Sequence, residues 1–198
     1  VVKCKHKVGE LFCDLPSIKA GEGVITPVET AHYTGKYLFT SKIKEYDREP
    51  VTFHQARPNT AQDLEIYRIV VDAWNKNKTR VAYTDLPERL RTHNNTKSFL
   101  DRFKVVAGNL TCAQTVVAHI SRDGHYFIHP DINQHRSITV REAARIQSFP
   151  DSYFFEGSRT AQYIQIGNAV PPIMAKGIAM GIFKELYEGD NSETQPTA

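Results

Sequence analysis

The sequence predicts an α+β fold, in which a small, twisted and mostly antiparallel sheet is flanked by helices. Residues 61–76 repeat apolar side chains at helical spacing, and residues 139–148 follow a helix-capping pattern. In contrast, residues 115–128 form two β-prone runs around Asp123-Gly124. With 198 residues, of which 40% are hydrophobic and 24% charged, the chain suits one or two modest domains with a buried core.

The first half of the chain is predicted to pass from short strands into a helix. Residues 1–58 mix β-branched and aromatic side chains with Gly, Pro and Lys, which is typical of short strands and loops. Thr60 and Asp63 then form a capping box for a helix over residues 61–76. Its apolar face comprises Ile66, Ile69, Val70, Ala73 and Trp74. Residues 86–103 are expected to form short helical turns that pack through Phe99, Leu100 and Phe103.

The second half is predicted to contain a hairpin and two further helices. Asp123-Gly124 lies between residues 115–120 and 125–128, and this dipeptide favours a hairpin turn. Thr139 and Glu142 form a capping box for a helix that Pro150 ends. A last helix is expected to begin at Pro171-Pro172. Residues 165–168, Gln-Ile-Gly-Asn, are interpreted as a polar turn before it, and residues 190–198 as a disordered tail.

Charge and cysteine content set only broad limits on function. The net charge of +3 permits a nucleic-acid partner, and five cations against two carboxylates lie between residues 86 and 104. On charge alone this segment could equally be a solvated face. Three unspaced cysteines argue against a disulfide framework and favour a reducing compartment. No uninterrupted apolar run approaches the ~20 residues of a membrane span, so we expect no membrane association.

Two blocks near the C-terminal end carry a family resemblance. Residues 139–151 read TVREAARIQSFPD and residues 165–172 read QIGNAVPP. Their order and close spacing resemble motifs IX and X of the DNA cytosine-5 methyltransferases. In that family a cysteine in a Pro-Cys-Gln loop attacks cytosine, but Cys4, Cys13 and Cys112 do not follow a proline here. The Glu-Asn-Val motif and the Phe-x-Gly-x-Gly turn are absent from the sequence as well.

The resemblance therefore implies the C-terminal portion of such an enzyme, either a fragment or one subunit of a split enzyme, which should not methylate DNA alone. We expect residues 1–52 to connect from the catalytic half, residues 53–138 to form a target-recognition domain, and residues 139–189 to close the cofactor site. The last helix would return to a Rossmann-like catalytic domain that is missing from this chain. The family also implies a bacterial or phage restriction–modification system and a cytoplasmic location.

The resemblance also assigns the site residues. Asn168 and Val170 would contact S-adenosylmethionine, as half of a site that the catalytic half completes. Arg141, Glu142 and Arg145 are expected to be structural, bridging the two domains. Double-stranded DNA would be read in the target-recognition domain, while the target cytosine is flipped out of the duplex. The candidate DNA-binding residues are Arg91, His93, Asn94, Asn95, Lys97, Arg102, Lys104, Gln114 and Thr115.

Several alternatives stay open from the residues. Residues 139–145 superficially resemble the first helix of a helix-turn-helix, so a stand-alone DNA-binding regulator is the second hypothesis. A protein-interaction module is the third, because small residues in the last helix permit close packing, and the same helix could form a dimer. The four histidines at positions 119, 125, 129 and 135 lack the partners of a zinc site, so we expect no metal. His54 and Arg57 resemble a His-x-Ala-Arg stretch of related enzymes, but the sequence assigns them no role.

Overall fold

The computed structural model describes residues 5–95, 97–122 and 124–187. Its α-helices are α1 (Tyr37–Thr40), α2 (Ala61–Asn77), α3 (Val140–Ile146), α4 (Arg159–Asn168) and α5 (Pro172–Tyr187). Short 3-10 helices span Val8–Leu11, Tyr83–Asp85, Glu88–Leu90 and Ala118–Ser121. Strands β1 (Gly23–Val24) and β2 (His54–Gln55) pair antiparallel, with Gly23 opposite Gln55. The α+β class is confirmed, with a two-stranded antiparallel sheet among the described residues.

Two predicted capping boxes are confirmed. The Asp63 amide donates to the Thr60 hydroxyl (3.1 Å), and the Asp63 carboxylate accepts from the Thr60 amide (3.0 Å). Thr139 and Glu142 make the same reciprocal pair, at 3.2 and 2.7 Å. Each cap satisfies backbone donors that a helix start leaves without partners. The last helix begins at Pro172, as the double proline predicts.

Two hydrophobic clusters organise the chain. One lies beneath α2 and is built on Ile66, Tyr67 and Val70 together with residues of the segments that follow the helix. The larger one surrounds α3, whose Ala143 and Ala144 are fully buried, and it includes Tyr163 and Ile166 of α4. Because α3 is buried from Val140 to Arg145, the segments around it pack onto it from several sides.

The predicted hairpin across Asp123-Gly124 is wrong. Residues Ala118–Ser121 form a 3-10 helix, and its Ile120 is buried in the cluster that contains α4. Gly167 of α4 approaches the Ala118 backbone so closely that a Cβ there would overlap it. Residue Ile128 instead forms a parallel bridge with Val105 and an antiparallel bridge with Ser137. Packing against α4 therefore overrides the local turn signal, and the small sheet lies in the first 58 residues instead.

Two further local predictions are wrong. Residues 165–168 are the last residues of α4 and not a turn. The helix continues because Tyr163 and Ile166 are buried, and it ends at Asn168, with Ala169 as its C-cap two residues before Pro171. Phe99 was expected to pack but is 70% exposed, with a positive φ of 54°. The predicted disordered tail, residues 190–198, lies outside the described residues. The proposed domain boundaries stay predictions.

Candidate nucleic-acid interface and cofactor segment

A cleft of about 680 Å³ gathers most of the predicted DNA-binding residues. We call it the recognition cleft. Its polar lining consists of His93, Asn94, Asn95, Arg102, Lys104, Gln114, Thr115, His119 and His125, and its apolar lining of Phe99, Val117, Tyr126 and Phe127. These side chains come from segments that lie up to 34 residues apart, from position 93 to position 127. The chain thus presents amide, imidazole and cationic groups over an apolar floor, which suits contacts with base edges.

Arg102 organises the loop that forms one wall of the recognition cleft. Its guanidinium carbon lies 3.9 Å from the centre of the Tyr83 ring, and its Nη2 donates to the Asn95 carbonyl at 2.8 Å. Its Nε donates to the Phe99 carbonyl at 3.1 Å. With these bonds the loop curls around Arg102, which explains why Phe99 faces outward. The geometry fits a loop-organising role for Arg102 better than a free phosphate contact.

Two other predicted DNA-binding side chains have partners within the chain. Lys104 Nζ lies 2.6 Å from the Asp101 carboxylate and 4.5 Å from the centre of the Tyr126 ring. The hydrogen bond from Lys104 lowers the pKa of Asp101. Gln114 Nε2 donates to the Tyr126 carbonyl. These contacts hold the cleft wall together, so a DNA contact by either side chain would use its remaining hydrogen-bonding capacity.

The remaining predicted DNA-binding residues differ in position. Asn94 and Thr115 are exposed and line the recognition cleft. Lys97 is exposed and lies on the same loop, but it is not part of the lining; the Asn95 Oδ1 atom accepts from its amide at 3.1 Å. Arg91 also lies outside the lining and is half-buried, and its Nε is buried with no hydrogen-bond partner among the described residues. The structure thus brings together all the candidates except Arg91 and Lys97.

Helix α3 carries a network of buried charges. Arg145 hydrogen-bonds Asp14 on one side (2.5 Å) and Asp151 on the other (2.6 Å). The Asp14 carboxylate also accepts from Lys44 at 2.8 Å. Burial alone would lower the pKa of Arg145, but the two carboxylates raise it above its ordinary value. Each charge therefore has a partner of opposite sign, as buried ions require.

Glu142 and Arg141 complete this network. Arg136 donates two hydrogen bonds of 2.7 Å to the Glu142 carboxylate. Burial alone would raise the pKa of Glu142, but Arg136 and His129 lower it below its ordinary value. The Arg141 guanidinium donates to the Thr52, Pro150 and Tyr153 carbonyls at 2.9–3.1 Å. Burial lowers the pKa of Arg141 to about 10, so this group stays charged at neutral pH. Arg141 and Arg145 thus connect α3 to segments 89 and 131 residues away, whereas Glu142 pairs with Arg136, six residues before it.

The structure shows which groups His54 and Arg57 contact, which the sequence did not reveal. His54 Nε2 donates to the Pro16 carbonyl (2.8 Å), and its Nδ1 lies 3.2 Å from the Thr139 hydroxyl that caps α3. Arg57 lies over the Tyr163 ring of α4, at 4.2 Å from its centre. Both side chains join β2 and the loop after it to the helices. The short polar spacing of this pair was the only signal in the sequence, and it does not reveal partners 38 or more residues away.

The candidate cofactor segment is the link between α4 and α5. Asn168 ends α4 and is exposed, and Val170 is 58% exposed. Gln147 holds this link against the end of α3, because its Nε2 donates to the Ile166 carbonyl (3.1 Å) and the Ala169 carbonyl (3.4 Å). An amide and an apolar side chain therefore stand side by side on an anchored, open segment. A role for Asn168 and Val170 in cofactor binding stays a prediction.

Helix α5 is exposed from Ile173 to Tyr187. Its apolar stripe, Met174, Ile178, Ile182 and Leu186, is 51–64% exposed. Within the stretch Arg159–Tyr187, the most apolar 18 residues have a mean hydropathy of 1.2, which by length and composition alone would suit a membrane span. However, the helix is interrupted between Asn168 and Pro172, and α4 packs into the core. The described part of α5 has 16 residues, fewer than the ~20 that span a bilayer.

Within the described ranges, no cluster of three or more potential metal ligands occurs. His129 is buried near Glu142, whereas His119 and His125 line the recognition cleft. His135 Nε2 donates to the Leu64 carbonyl at the end of a turn with positive φ. The four histidines are thus divided among three different surroundings.

Comparisons with known proteins agree with the motif resemblance. The family described as C-5 cytosine-specific DNA methylase matches residues 16–184. The Type II methyltransferase M.Bpa9945I of Bacillus paralicheniformis is 57% identical over 183 residues, which cover 91% of this chain and 40% of that protein. The DNA (cytosine-5)-methyltransferase 3 of Arabidopsis thaliana is 32% identical over 193 residues, covering 91% of this chain and 12% of that protein. The chain therefore spans less than half of the length of these relatives.

A solved structure shares the fold. The crystal structure of a DNA modification methyltransferase encoded within an Escherichia coli prophage superposes with a TM-score of 0.51 at 21% identity. The superposition covers 91% of this chain and 47% of that one.

Proposed function

Because the chain belongs to the C-5 cytosine-specific DNA methylase family, we propose that it is the C-terminal portion of a DNA cytosine-5 methyltransferase. In this proposal it recognises double-stranded DNA and closes the cofactor site, while an N-terminal half supplies the catalytic cysteine. The observation that carries the proposal is the recognition cleft, where side chains from residues 93–127 converge over an apolar floor. Its amides and cations are the groups that read base edges and bind phosphates.

The cofactor segment supports the second half of the proposal. S-adenosylmethionine would supply the methyl group when bound. Asn168 offers an amide donor and acceptor and Val170 an apolar surface, and both are exposed on a link that Gln147 anchors. These groups fit the mixed polar and apolar character of a nucleoside ligand. They would hold one side of the cofactor, so this chain carries half of the site.

Helix α5 supports the proposed partner. Its apolar stripe lies open to solvent, and such a continuous surface marks an interaction site. We propose that the Rossmann-like catalytic half covers it and so places the Asn168 link against the cofactor. The sequence holds no Pro-Cys pair, so methyl transfer requires that half. The bacterial relative and the prophage protein favour a cytoplasmic enzyme of a restriction–modification system.

The alternative of a stand-alone DNA-binding regulator has less support. In a helix-turn-helix protein, the two helices must reach the DNA surface. Here the candidate first helix, α3, is buried from Val140 to Arg145, and no helix follows it until Arg159. The segment between them is an aromatic loop in which Phe155 is buried.

Complementation in trans tests the proposal. The chain would be mixed with a separately expressed N-terminal half from a relative such as the Bacillus enzyme, and methylation of plasmid DNA would be measured with labelled S-adenosylmethionine. We expect activity from the mixture and none from either half alone. If the two folded halves neither bind each other nor methylate the plasmid, the proposed function is contradicted.

A further inference from the structure

A second, smaller cleft of about 250 Å³ lies next to the recognition cleft. We call it the arginine pocket, because Arg57, Arg122 and Arg159 line it. The two clefts meet at the 3-10 helix Ala118–Ser121: Val117 and His119 line the recognition cleft, whereas Ser121 and Arg122 line the arginine pocket. None of the three arginines was predicted from the sequence to bind DNA.

The arginine pocket has a surplus of positive charge. Against its three guanidinium groups stands a single carboxylate, that of Asp63. This carboxylate already accepts from the Thr60 amide at 3.0 Å and lies 3.9 Å from His125 Nε2. Among the described residues, no carboxylate forms an ion pair with Arg122 or Arg159. The pocket therefore favours an anion.

Arg57 forms the rigid inner wall of the arginine pocket. Its guanidinium lies over the Tyr163 ring at 4.2 Å, and its Nη2 donates to the Ile120 carbonyl at 2.5 Å. Its Nη1 packs against Gly124, where a Cβ would overlap it, and has no hydrogen-bond partner among the described residues. This cation is only 8% exposed, so its charge acts on the pocket from a low-dielectric wall. Arg122 and Arg159 are exposed and can close on a ligand from two separate elements.

The other polar side chains of the arginine pocket favour an oxyanion as its ligand. Hydroxyl groups of Thr60, Ser121 and Thr160 stand among the guanidinium groups, so several donors converge on one small space. Guanidinium and hydroxyl donors together match the tetrahedral oxygens of phosphate. We propose that the arginine pocket binds a phosphate group, and that a backbone phosphodiester of the DNA in the adjoining recognition cleft supplies it. The choice of DNA as the source rests on the proposed function.

The first arm of the test measures DNA binding by the full chain. Fluorescence anisotropy with a labelled duplex would be recorded between 50 and 200 mM salt for the wild type and for Arg122→Gln and Arg159→Gln. Both residues are exposed, so the fold should stay intact. We expect weaker binding and a salt slope smaller by roughly 1, because one fewer phosphate is neutralised. The control, Arg48→Gln, removes an exposed arginine that lines neither cleft, and it should leave the slope unchanged.

The second arm measures the pocket without DNA. Inorganic phosphate would be titrated while the arginine Nε–H signals are followed by NMR, with saturation expected in the wild type and its loss in the double variant Arg122→Gln/Arg159→Gln. Saturation combined with an unchanged DNA salt slope would keep the phosphate site but overturn the DNA assignment. No saturation and no change of slope would overturn the whole proposal. If the wild type binds no duplex at all, the part of the proposed function that assigns DNA recognition to this chain fails, and the phosphate titration still decides whether the pocket binds an oxyanion.

Discussion

Arg145 on α3 donates two hydrogen bonds to Asp14, a residue 131 positions away in the sequence, at 2.5 and 3.2 Å. Both side chains are buried. The pair ties the start of the chain to the helix that carries the first family motif. It thereby fixes α3, and through Gln147 it positions the link between α4 and α5, which contains Val170.

We predict that Asp14→Ala strongly destabilises the fold. Burial alone would raise the pKa of Asp14, but hydrogen bonds from Arg145 and Lys44 lower it below its ordinary value, so this carboxylate is charged. Removing it leaves two buried cations short of a partner, and we expect the free energy of unfolding to fall by about 3–5 kcal/mol. Urea denaturation followed by circular dichroism measures this. The control Arg48→Gln breaks an exposed pair with Glu29 and should change the free energy by less than about 1 kcal/mol.

We predict that two buried histidines make the fold sensitive to mild acid. Burial lowers the pKa of His129 to about 4 from the ordinary value of 6.5, and burial also lowers the pKa of His54. As the pH falls below 6.5, these histidine rings become protonated in the unfolded chain but stay neutral in the native chain. Stability is therefore complete above about pH 6.5 and is lost as the pH falls towards 4. For His129 alone the total loss is about 3 kcal/mol.

His129→Gln is the variant that tests this assignment. The free energy of unfolding, measured at intervals from pH 7.5 to 4.5, should depend on pH less steeply in the variant, by about 1 kcal/mol per pH unit. Glu142 does not affect this comparison. Because its pKa is lowered in the native chain, its contribution to the free energy of unfolding is lost only below the ordinary value of 4.5. An NMR titration that shows the native His129 ring gaining its proton near pH 6.5 would contradict the prediction.

We predict that Lys97 and Arg102 affect DNA binding in different ways. Lys97 is exposed beside the recognition cleft, so Lys97→Gln should weaken binding and reduce the salt slope by roughly 1 if it neutralises a phosphate. Arg102 is engaged with Tyr83 and with the Asn95 and Phe99 carbonyls. Arg102→Gln should therefore weaken binding with little change of slope, and it should accelerate hydrogen exchange across residues 95–102. Equal slopes in both variants and unchanged exchange would contradict the loop-organising role.

The elements that the sequence predicted well are those with local causes. Thr60 and Thr139 each cap a helix through a residue three positions later, and Pro172 starts α5, so the signal and its effect lie within one turn. The predicted hairpin was wrong because its outcome depends on Gly167 and on the burial of Ile120 beneath α4, far along the chain. The same reason explains the helical end of α4, where buried Ile166 extends the helix past a polar stretch.

The candidate site also was predictable where residue type decides and unpredictable where distant contacts decide. Residues of the recognition cleft could be selected from their types, since amides and cations suit DNA wherever they lie. What the types could not reveal is which side chains are already engaged: Lys104 pairs with Asp101, and Gln114 with the Tyr126 carbonyl. Nor could they reveal Arg57, whose partners Ile120 and Tyr163 lie 63 or more residues away.

We predict that Asn168→Ala weakens cofactor binding in the complemented enzyme and leaves DNA affinity largely unchanged. Asn168 is exposed at the end of α4, so the free energy of unfolding should change by less than about 0.5 kcal/mol. Calorimetric titration with S-adenosylmethionine measures the effect, for which we expect a loss of roughly tenfold from one hydrogen-bonding group. Gln165→Ala removes another exposed amide of α4, one that donates to the Glu156 carbonyl, and serves as the control. A titration curve identical to wild type would remove Asn168 from the cofactor site.

We predict that α5 makes the isolated chain self-associate until the catalytic half covers it. Ile178 and Ile182 are more than half exposed on one stripe, and burial of such side chains contributes about 1.5–3 kcal/mol each. Ile182→Glu should shift sedimentation velocity profiles towards the monomer and reduce methylation in the complementation assay. Lys184→Glu changes a neighbouring polar position on the same helix and should do neither. If the wild-type chain instead floats with lipid vesicles and does not bind the catalytic half, α5 is a membrane element and the docking assignment is wrong.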